Sequence, residues 1–187
     1  STMGVAQMPD ALSIDKEEPD NEAVQQQVLE VVGQALEEYD AMRRAEGARL
    51  CQDIVQRAGR IGQLVDHVEQ RSPQTVEEYR KRISARMQEL LGDTEIAEQR
   101  ILAEAALFAD KVSVTEEIVR LRSHLAQLNT MLSADTAVGR KLDFLVQEMN
   151  REANTIGSKA NDYELAQTVV EIKAEIEKIR EQIQNIE

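Results

Sequence analysis

Large flat side chains are scarce in this sequence, whose 187 residues include no Trp, two Phe, three Tyr and only three Pro. Sheet-rich folds draw on aromatic and β-branched residues, whereas helices packed through Leu, Ile, Val and Ala need few rings and few prolines. The expected fold is all-α, with long helices and helical hairpins packed as a bundle. A single cysteine, Cys51, rules out an internal disulfide framework and suits a reducing compartment, so the cytoplasm is the expected location. No run of 18 apolar residues and no basic-then-apolar leader occurs, which leaves a membrane span and a secretory signal without support. Also missing are a Walker loop, a Rossmann fingerprint, a paired-cysteine metal motif and a GxSxG elbow, so kinase, dehydrogenase and serine-hydrolase chemistries have no foothold.

Positive charge is short as well. A net charge of −13 argues against a polyanionic partner, because phosphate binding rests on Lys and Arg that displace counterions. The deficit is uneven, however: residues 1–40 carry ten acids against one Lys, residues 162–187 seven against three, and the stretch between them balances. Bases clustered on an acidic body therefore keep RNA open as a partner.

What the sequence has in quantity is helical periodicity. Val24, Val28, Val31 or Val32, Ala35, Tyr39 and Met42 recur at steps of three and four, and Leu50, Ile54, Ala58, Ile61, Val65 and Val68 continue them. A helix over 22–70 would reach on the order of 70 Å at 1.5 Å per residue, too long for one compact core to cover. It is expected to pack against another helix or another subunit. Ser72 and Pro73 predict a break there and a second helix from Pro73 to Leu91, closed by Gly92. A third helix is expected over Glu95–Phe108, and a fourth over Thr115–Leu132 behind a Ser113/Glu116 capping box. A fifth begins near Ala137 and carries Val138, Leu142, Leu145 and Met149 on one side. The last, capped by Asn161 with Glu164, repeats Leu165, Val169, Ile172, Ile176, Ile179, Ile183 and Ile186 as a coiled-coil-like seam.

One stretch resists this pattern. "NREANTIGSK", residues 150–159, offers only Ala153 and Ile156 as apolar core candidates at the C-terminal end of the fifth helix. Around it Gln147, Asn150 or Arg151, and Asn154 lie three or four apart, and Glu148 and Glu152 form an i, i+4 pair. Two carboxylates one turn apart suit a hard divalent cation, although the same spacing also marks an ordinary solvated face. On the fourth helix Glu117, Arg120 and His124 share a stripe at i, i+3 and i+7, and imidazole titrates near neutrality as the usual general acid or base. Arg120, Arg122, Arg140, Lys141, Arg151 and Lys159 supply candidate phosphate contacts, while His67 reads as structural. Ser158, Lys159 and Asn161 precede a helix N-terminus, where exposed amides favour an anion, though Asp162 and Glu164 make capping the simpler use.

At "RLRSHLAQL", "GRKLDFLVQEMNREANTIGSKAND" and "EIKAEIEKIREQIQNIE" the sequence resembles the YicC/YloC family of bacterial endoribonucleases, three long segments in the family's order and spacing. The resemblance is strongest over 109–187 and weaker over 20–108. It implies RNA cleavage supported by Mn²⁺ or Mg²⁺ in a homo-oligomer, a hexamer enclosing a channel. Family members open with an additional region containing an "SMTGFG"-like stretch, so residues 1–21 are expected to be the acidic remnant of a missing domain. A helical middle region over 22–108 and a C-terminal helical domain over 109–187 would follow. Within the matching blocks stand Arg120, His124, Arg140, Asp143, Gln147, Glu148, Asn150, Arg151, Glu152, Asn154, Ser158 and Lys159. The expected roles are catalysis and metal binding for His124, Glu148 and Glu152, with RNA contacts from Arg120, Arg140, Gln147, Asn150, Arg151, Asn154, Ser158 and Lys159. A metal-free alternative has His124 deprotonating the 2′-hydroxyl. The rival from another class is a non-catalytic scaffold or RNA-binding adaptor whose polar decapeptide locks helix pairing.

Overall fold

Five helices and no strand make up the described residues, α1 (Asn21–Leu91), α2 (Glu95–Val112), α3 (Thr115–Leu132), α4 (Gly139–Lys159) and α5 (Tyr163–Ile183). The computed structural model describes residues 21–91, 95–134 and 138–184, the side chains of 90, 91 and 95–98 excepted. The all-α expectation holds, and the chain forms two compact units, Ser1–Glu46 and Gly47–Glu187.

In the first unit every described residue is exposed, including Val24, Val28, Val32, Leu36, Tyr39 and Met42. The apolar period recognised there is real but stays uncovered among the described residues of this unit. In the second unit the same period is buried from Ile54 onward: Ile54, Ala58, Ile61, Val65 and Val68 join Leu121, Leu125 and Leu128 of α3, Leu142, Leu145 and Met149 of α4, and the α5 seam. The result is a four-helix bundle made by the middle of α1 with α3, α4 and α5. Leu165, Val169, Ile172, Ile176, Ile179 and Ile183 are all buried as the seam predicts, and Ile186 lies outside the described residues.

The predicted break at Ser72–Pro73 does not occur, and α1 runs through it. Proline removes one ladder hydrogen bond and costs about 3 kcal/mol inside a helix, so the turn has to be held by other contacts. Arg71 supplies most of them, reaching Glu78 two turns on (2.6 Å) and clamping both carboxylate oxygens of Asp162 (3.1 and 3.2 Å), while Thr75 Oγ1 donates to the Ser72 carbonyl (2.8 Å). Beyond Pro73, α1 turns its face to α2 as a helical hairpin in which Tyr79 stacks on Phe108 with ring centroids 3.8 Å apart.

Two predicted caps are replaced. Val114, not Ser113, precedes α3, with no side-chain cap, because Glu116 is drawn to Arg120 (2.9 Å) and leaves the capping box unmade. Asp162, not Asn161, caps α5 by accepting from the Leu165 N–H (3.2 Å), and Glu164 pairs instead with His67 (3.0 Å) and Arg71 (3.1 Å). Helix α2 extends past Phe108 to Val112. The first described helical residue of α4 is Gly139, and the expected start at Ala137 lies outside the described residues.

At Gly157 α4 and α5 approach closely, since a Cβ there would stand 3.1 Å from Val169 Cγ1. Val is stiff at χ1 and gives way poorly. Gly157→Ala is therefore expected to destabilise the bundle by about 1–2 kcal/mol in urea unfolding, overpacking outweighing the gain in helix propensity. The loss should largely vanish in a Val169→Ala background, and an additive double mutant would contradict the contact.

Candidate functional site

Helix α4 is strongly two-sided. Leu142, Leu145, Val146, Met149, Ala153 and Ile156 face the core, and Glu152 lies on the same stripe, 5 % exposed. Burying a carboxylate without a partner costs several kcal/mol, so an apolar face that includes one needs a compensating cation. Arg120 of α3 supplies it, with Nη1 3.8 Å from Glu152 Oε1 while Nη2 bonds Glu116. The reciprocal pair lies nearer the chain end of α4: Lys159 Nζ donates to Glu117 Oε1 at 2.8 Å, and Glu117 is 6 % exposed. Burial pushes the Glu117 carboxyl up, but the Lys159 ammonium, the residue's own backbone N–H and Arg120 together hold it below its ordinary value of 4.5.

These two crossed pairs set the register of antiparallel α3 and α4. Glu117 pairs with Lys159 and Arg120 with Glu152, so one further turn along α3 brings His124 to the stretch of α4 between Glu148 and Glu152. The stripe Glu117, Arg120, His124 thus faces α4 as its spacing predicts. Three polar atoms in this region are buried with no protein partner: Glu117 Oε2, His124 Nδ1 and Asn150 Oδ1. Buried polar atoms are normally satisfied, and orphans mark places where water, an ion or a ligand completes the set. Glu148 is less enclosed and stands 3.8 Å from Arg151.

On the outer side of α4, Gln147, Asn150, Arg151, Asn154, Thr155 and Ser158 line an open cleft of about 460 Å³. Its local bonds are short-range, Ser158 Oγ to the Thr155 carbonyl (2.8 Å) and Thr155 Oγ1 to the Arg151 carbonyl (3.1 Å), and Gln147 donates to Asp143 (2.8 Å). Asn150 joins the two regions, lining the cleft while its amide oxygen is buried.

The expected site residues therefore divide. Arg120, His124, Glu148, Glu152 and Lys159 gather along the α3–α4 seam, and Gln147, Asn150, Arg151, Asn154 and Ser158 along the adjoining cleft. Arg140 does not join them: it is exposed in the first turn of α4, about 28 Å from Lys159 at 1.5 Å per residue. Asp143 sits one turn further in, 3.9 Å from Arg180. Glu117 had a place on the stripe but no assigned role, and Thr155 was overlooked because a helical Thr reads as neutral. The i, i+4, i+8 series from Gln147 through Arg151 to Thr155 is the signal that would have found it. Among the described residues no three His, Cys, Asp or Glu side chains converge as a metal-binding group.

Because the folded state holds the Glu117 carboxyl below 4.5, its pair with Lys159 stabilises the protein fully above that pH and loses its contribution as pH falls through the lower folded value. Lys159→Met should cost about 1–3 kcal/mol at pH 7 by leaving a buried carboxylate unpaired. The deficit should shrink below pH 4.5 and be smaller in Glu117→Gln/Lys159→Met. Urea unfolding of the three proteins at pH 7 and pH 3.5 measures it, and a deficit that does not change with pH would contradict the pairing.

Residues 68–187 match the family described as "Endoribonuclease YicC-like, C-terminal", and residues 1–52 match its "N-terminal region". Similar proteins include the "Probable endoribonuclease YicC" of Clostridioides difficile, 46 % identical over 100 % of this chain and 64 % of its own length. That of Haemophilus influenzae is 36 % identical over 93 % of this chain and 60 % of its own. The chain thus spans less than two thirds of the length of these relatives. With a family match over the whole bundle from Val68 onward and a second at the start of the chain, this protein belongs to the YicC-like endoribonuclease family.

Proposed function

We propose that this chain is the helical portion of an endoribonuclease that cuts RNA phosphodiester bonds beside α4. The observation that carries the reading is the adjacency of two features: an open row of amides, a hydroxyl and a guanidinium, and a seam holding an imidazole and two carboxylates with buried atoms still unpartnered. The reaction class comes from the similar proteins of Clostridioides difficile and Haemophilus influenzae, each named a probable endoribonuclease. Gln147, Asn150, Asn154 and Ser158 are suited to the ribose hydroxyls and base edges that unpaired RNA exposes. Arg151, 75 % exposed at its side chain, meets the phosphate with a planar fork of donors. Arg120 and Lys159 are already engaged by Glu152 and Glu117, so their part is to offset charge from behind the cleft as it develops in the transition state.

A divalent cation, Mn²⁺ or Mg²⁺, belongs to this reading. Glu148 and Glu152 would hold it, because such ions need only one or two carboxylates when waters and substrate phosphate oxygens complete the shell. Arg120 stands 3.8 Å from Glu152, beyond direct hydrogen-bond reach, which leaves that carboxylate acceptor capacity. The ion supplies Lewis-acid charge at the scissile phosphate. His124, on the α3 stripe that carries Glu117 and Arg120, would take or return the proton of the attacking hydroxyl.

Glu148→Ala and His124→Ala in the full-length protein are expected to lower kcat/KM on labelled RNA by 10²-fold or more with unchanged circular dichroism, and Arg151→Ala to raise KM. EDTA should abolish cleavage and Mn²⁺ restore it. Survival of cutting at a 2′-deoxy position would exclude attack by the 2′-hydroxyl. The two crossed ion pairs also favour a second reading, a scaffold in which seam polarity fixes helix pairing, and folded variants that cut at the wild-type rate would favour it over the enzyme site.

The exposed Val24–Met42 stripe supports self-association, and a hexamer is the number the resemblance implies. Val28→Glu with Leu36→Glu should reduce the mass measured by light scattering, and an unchanged mass would place the contact elsewhere. Among the described residues no helix is long and apolar enough to cross a membrane, and a cytoplasmic location fits the free Cys51.

A further inference from the structure

The hairpin of α1 and α2 carries a second groove away from the α3–α4 seam, about 520 Å³ in volume and lined by Arg80, Lys81, Ser84, Gln88, Ile101 and Leu102 among others. Its two walls differ in chemistry. Along α1, Arg80, Ser84 and Gln88 follow one another at i, i+4 and i+8, a straight row of hydrogen-bonding groups about 6 Å apart at 1.5 Å per residue. Lys81 stands beside the row. Across from it, Ile101 is half-buried and Leu102 is 59 % exposed, an apolar floor open among the described residues. The Tyr79–Phe108 stack ties the two helices together beside the groove, and Arg82 lies over the Tyr79 ring at 5.2 Å.

Charge on this wall runs against the chain's overall sign. Residues 80–86 contain four bases, Arg80, Lys81, Arg82 and Arg86, and no acid, in a protein of net charge −13. Glu77 is the carboxylate that answers both groove bases, bonding Arg80 through two contacts (2.9 and 3.0 Å) and standing 3.9 Å from Lys81. One negative charge against two leaves the wall net positive. Within the helix the side chains of Ser84 and Gln88 bond no other described side chain, so their polar groups are available.

The geometry points to this hairpin groove as a docking track for the sugar-phosphate backbone of single-stranded RNA, separate from the seam where cleavage is placed. The inference rests on the RNA reading above. Arg80 and Lys81 meet phosphates, Ser84 and Gln88 bond ribose or phosphate oxygens, and the Ile101–Leu102 floor takes the flat face of an unstacked base. An acidic peptide could engage the same bases, donors and floor, so it enters the test as a competitor, and the reading of the chain as part of an RNA-cleaving enzyme favours nucleic acid. The groove then raises affinity for RNA long enough to reach both places and takes no part in the chemistry.

Fluorescence anisotropy of the full-length protein with a labelled unstructured 30-nucleotide RNA across a salt series tests it, with Arg80→Gln/Lys81→Gln against an Arg49→Gln/Lys173→Gln control of equal charge change, both control residues being exposed. The groove variant is expected to bind at least tenfold more weakly at low salt, with a salt slope reduced by about 1.4 for two lost phosphate contacts at about 0.7 each. Its kcat at saturating RNA should stay at the wild-type level while KM rises. Leu102→Asp, which leaves the bases in place, should weaken RNA binding without changing the salt slope. Equal losses in groove variant and control would reduce the effect to net charge and overturn the track, as would equal displacement of the RNA by polyglutamate. Unchanged binding in the groove variant, beside a wild type that binds and cuts RNA, overturns the track alone. A wild type that neither binds nor cuts RNA overturns the functional reading with it.

Discussion

Two carboxylates in an apolar seam constrain everything built around them. Glu117 and Glu152 are both nearly enclosed, and each would lose the seam its stability unless a cation reached it from the facing helix. Lys159 reaches Glu117 across 42 positions of sequence, and Arg120 approaches Glu152 from the other side. Because the pairs are crossed, one acid on each helix, only one antiparallel register satisfies both. His124, Glu148 and Asn150 inherit their positions from that register, which makes the polar seam a precondition of the site whatever chemistry it performs.

Helix α1 depends on a comparable constraint at Arg71. A proline two positions on should have ended the helix, yet the guanidinium grips Glu78 across the disturbed turn and Asp162 from α5. Asp162 in turn caps α5 through Leu165. Hydrogen bonds to Glu78 and Asp162 outweigh burial in holding the Arg71 guanidinium above its ordinary range, and Arg71 in turn pulls the Asp162 carboxyl below 3.8 against the opposing effect of burial. One side chain thereby carries α1 past Pro73 and anchors the start of the seam helix, and the basic hairpin beyond it exists only because the helix was not broken.

The decapeptide that breaks the apolar pattern is resolved by the same logic. Of its residues, Glu152, Ala153 and Ile156 enter the core, Gly157 makes room for Val169, and Lys159 answers Glu117. Asn150, Arg151, Asn154, Thr155 and Ser158 turn outward to a cleft. "NREANTIGSK" is therefore a helix end that also presents a polar surface, with one buried amide oxygen, Asn150 Oδ1, left unsatisfied among the described residues. The caps were misread for an instructive reason. Glu116 and Glu164 have the spacing for capping boxes, but Glu116 is held by Arg120 and Glu164 by Arg71, with His67 also in reach, and a charge-assisted contact to a guanidinium outcompetes a reach back to the backbone.

Periodicity belongs to the chain alone, and it sufficed for the all-α class, for most helix bounds, for the isoleucine seam and for the stripe that places Glu117, Arg120 and His124 on one face. Those features repeat every three or four residues, so neighbours in sequence determine them. Which apolar stripe is covered, which glutamate is buried and which residue caps a helix were decided only in the tertiary structure. Val24 and Ile54 belong to one continuous pattern yet differ wholly in burial, and Glu148 and Glu152 have the same chemistry yet different partners. Each of those outcomes turns on contacts between residues tens of positions apart, and such contacts are set by how helices pack, which a local repeat does not encode.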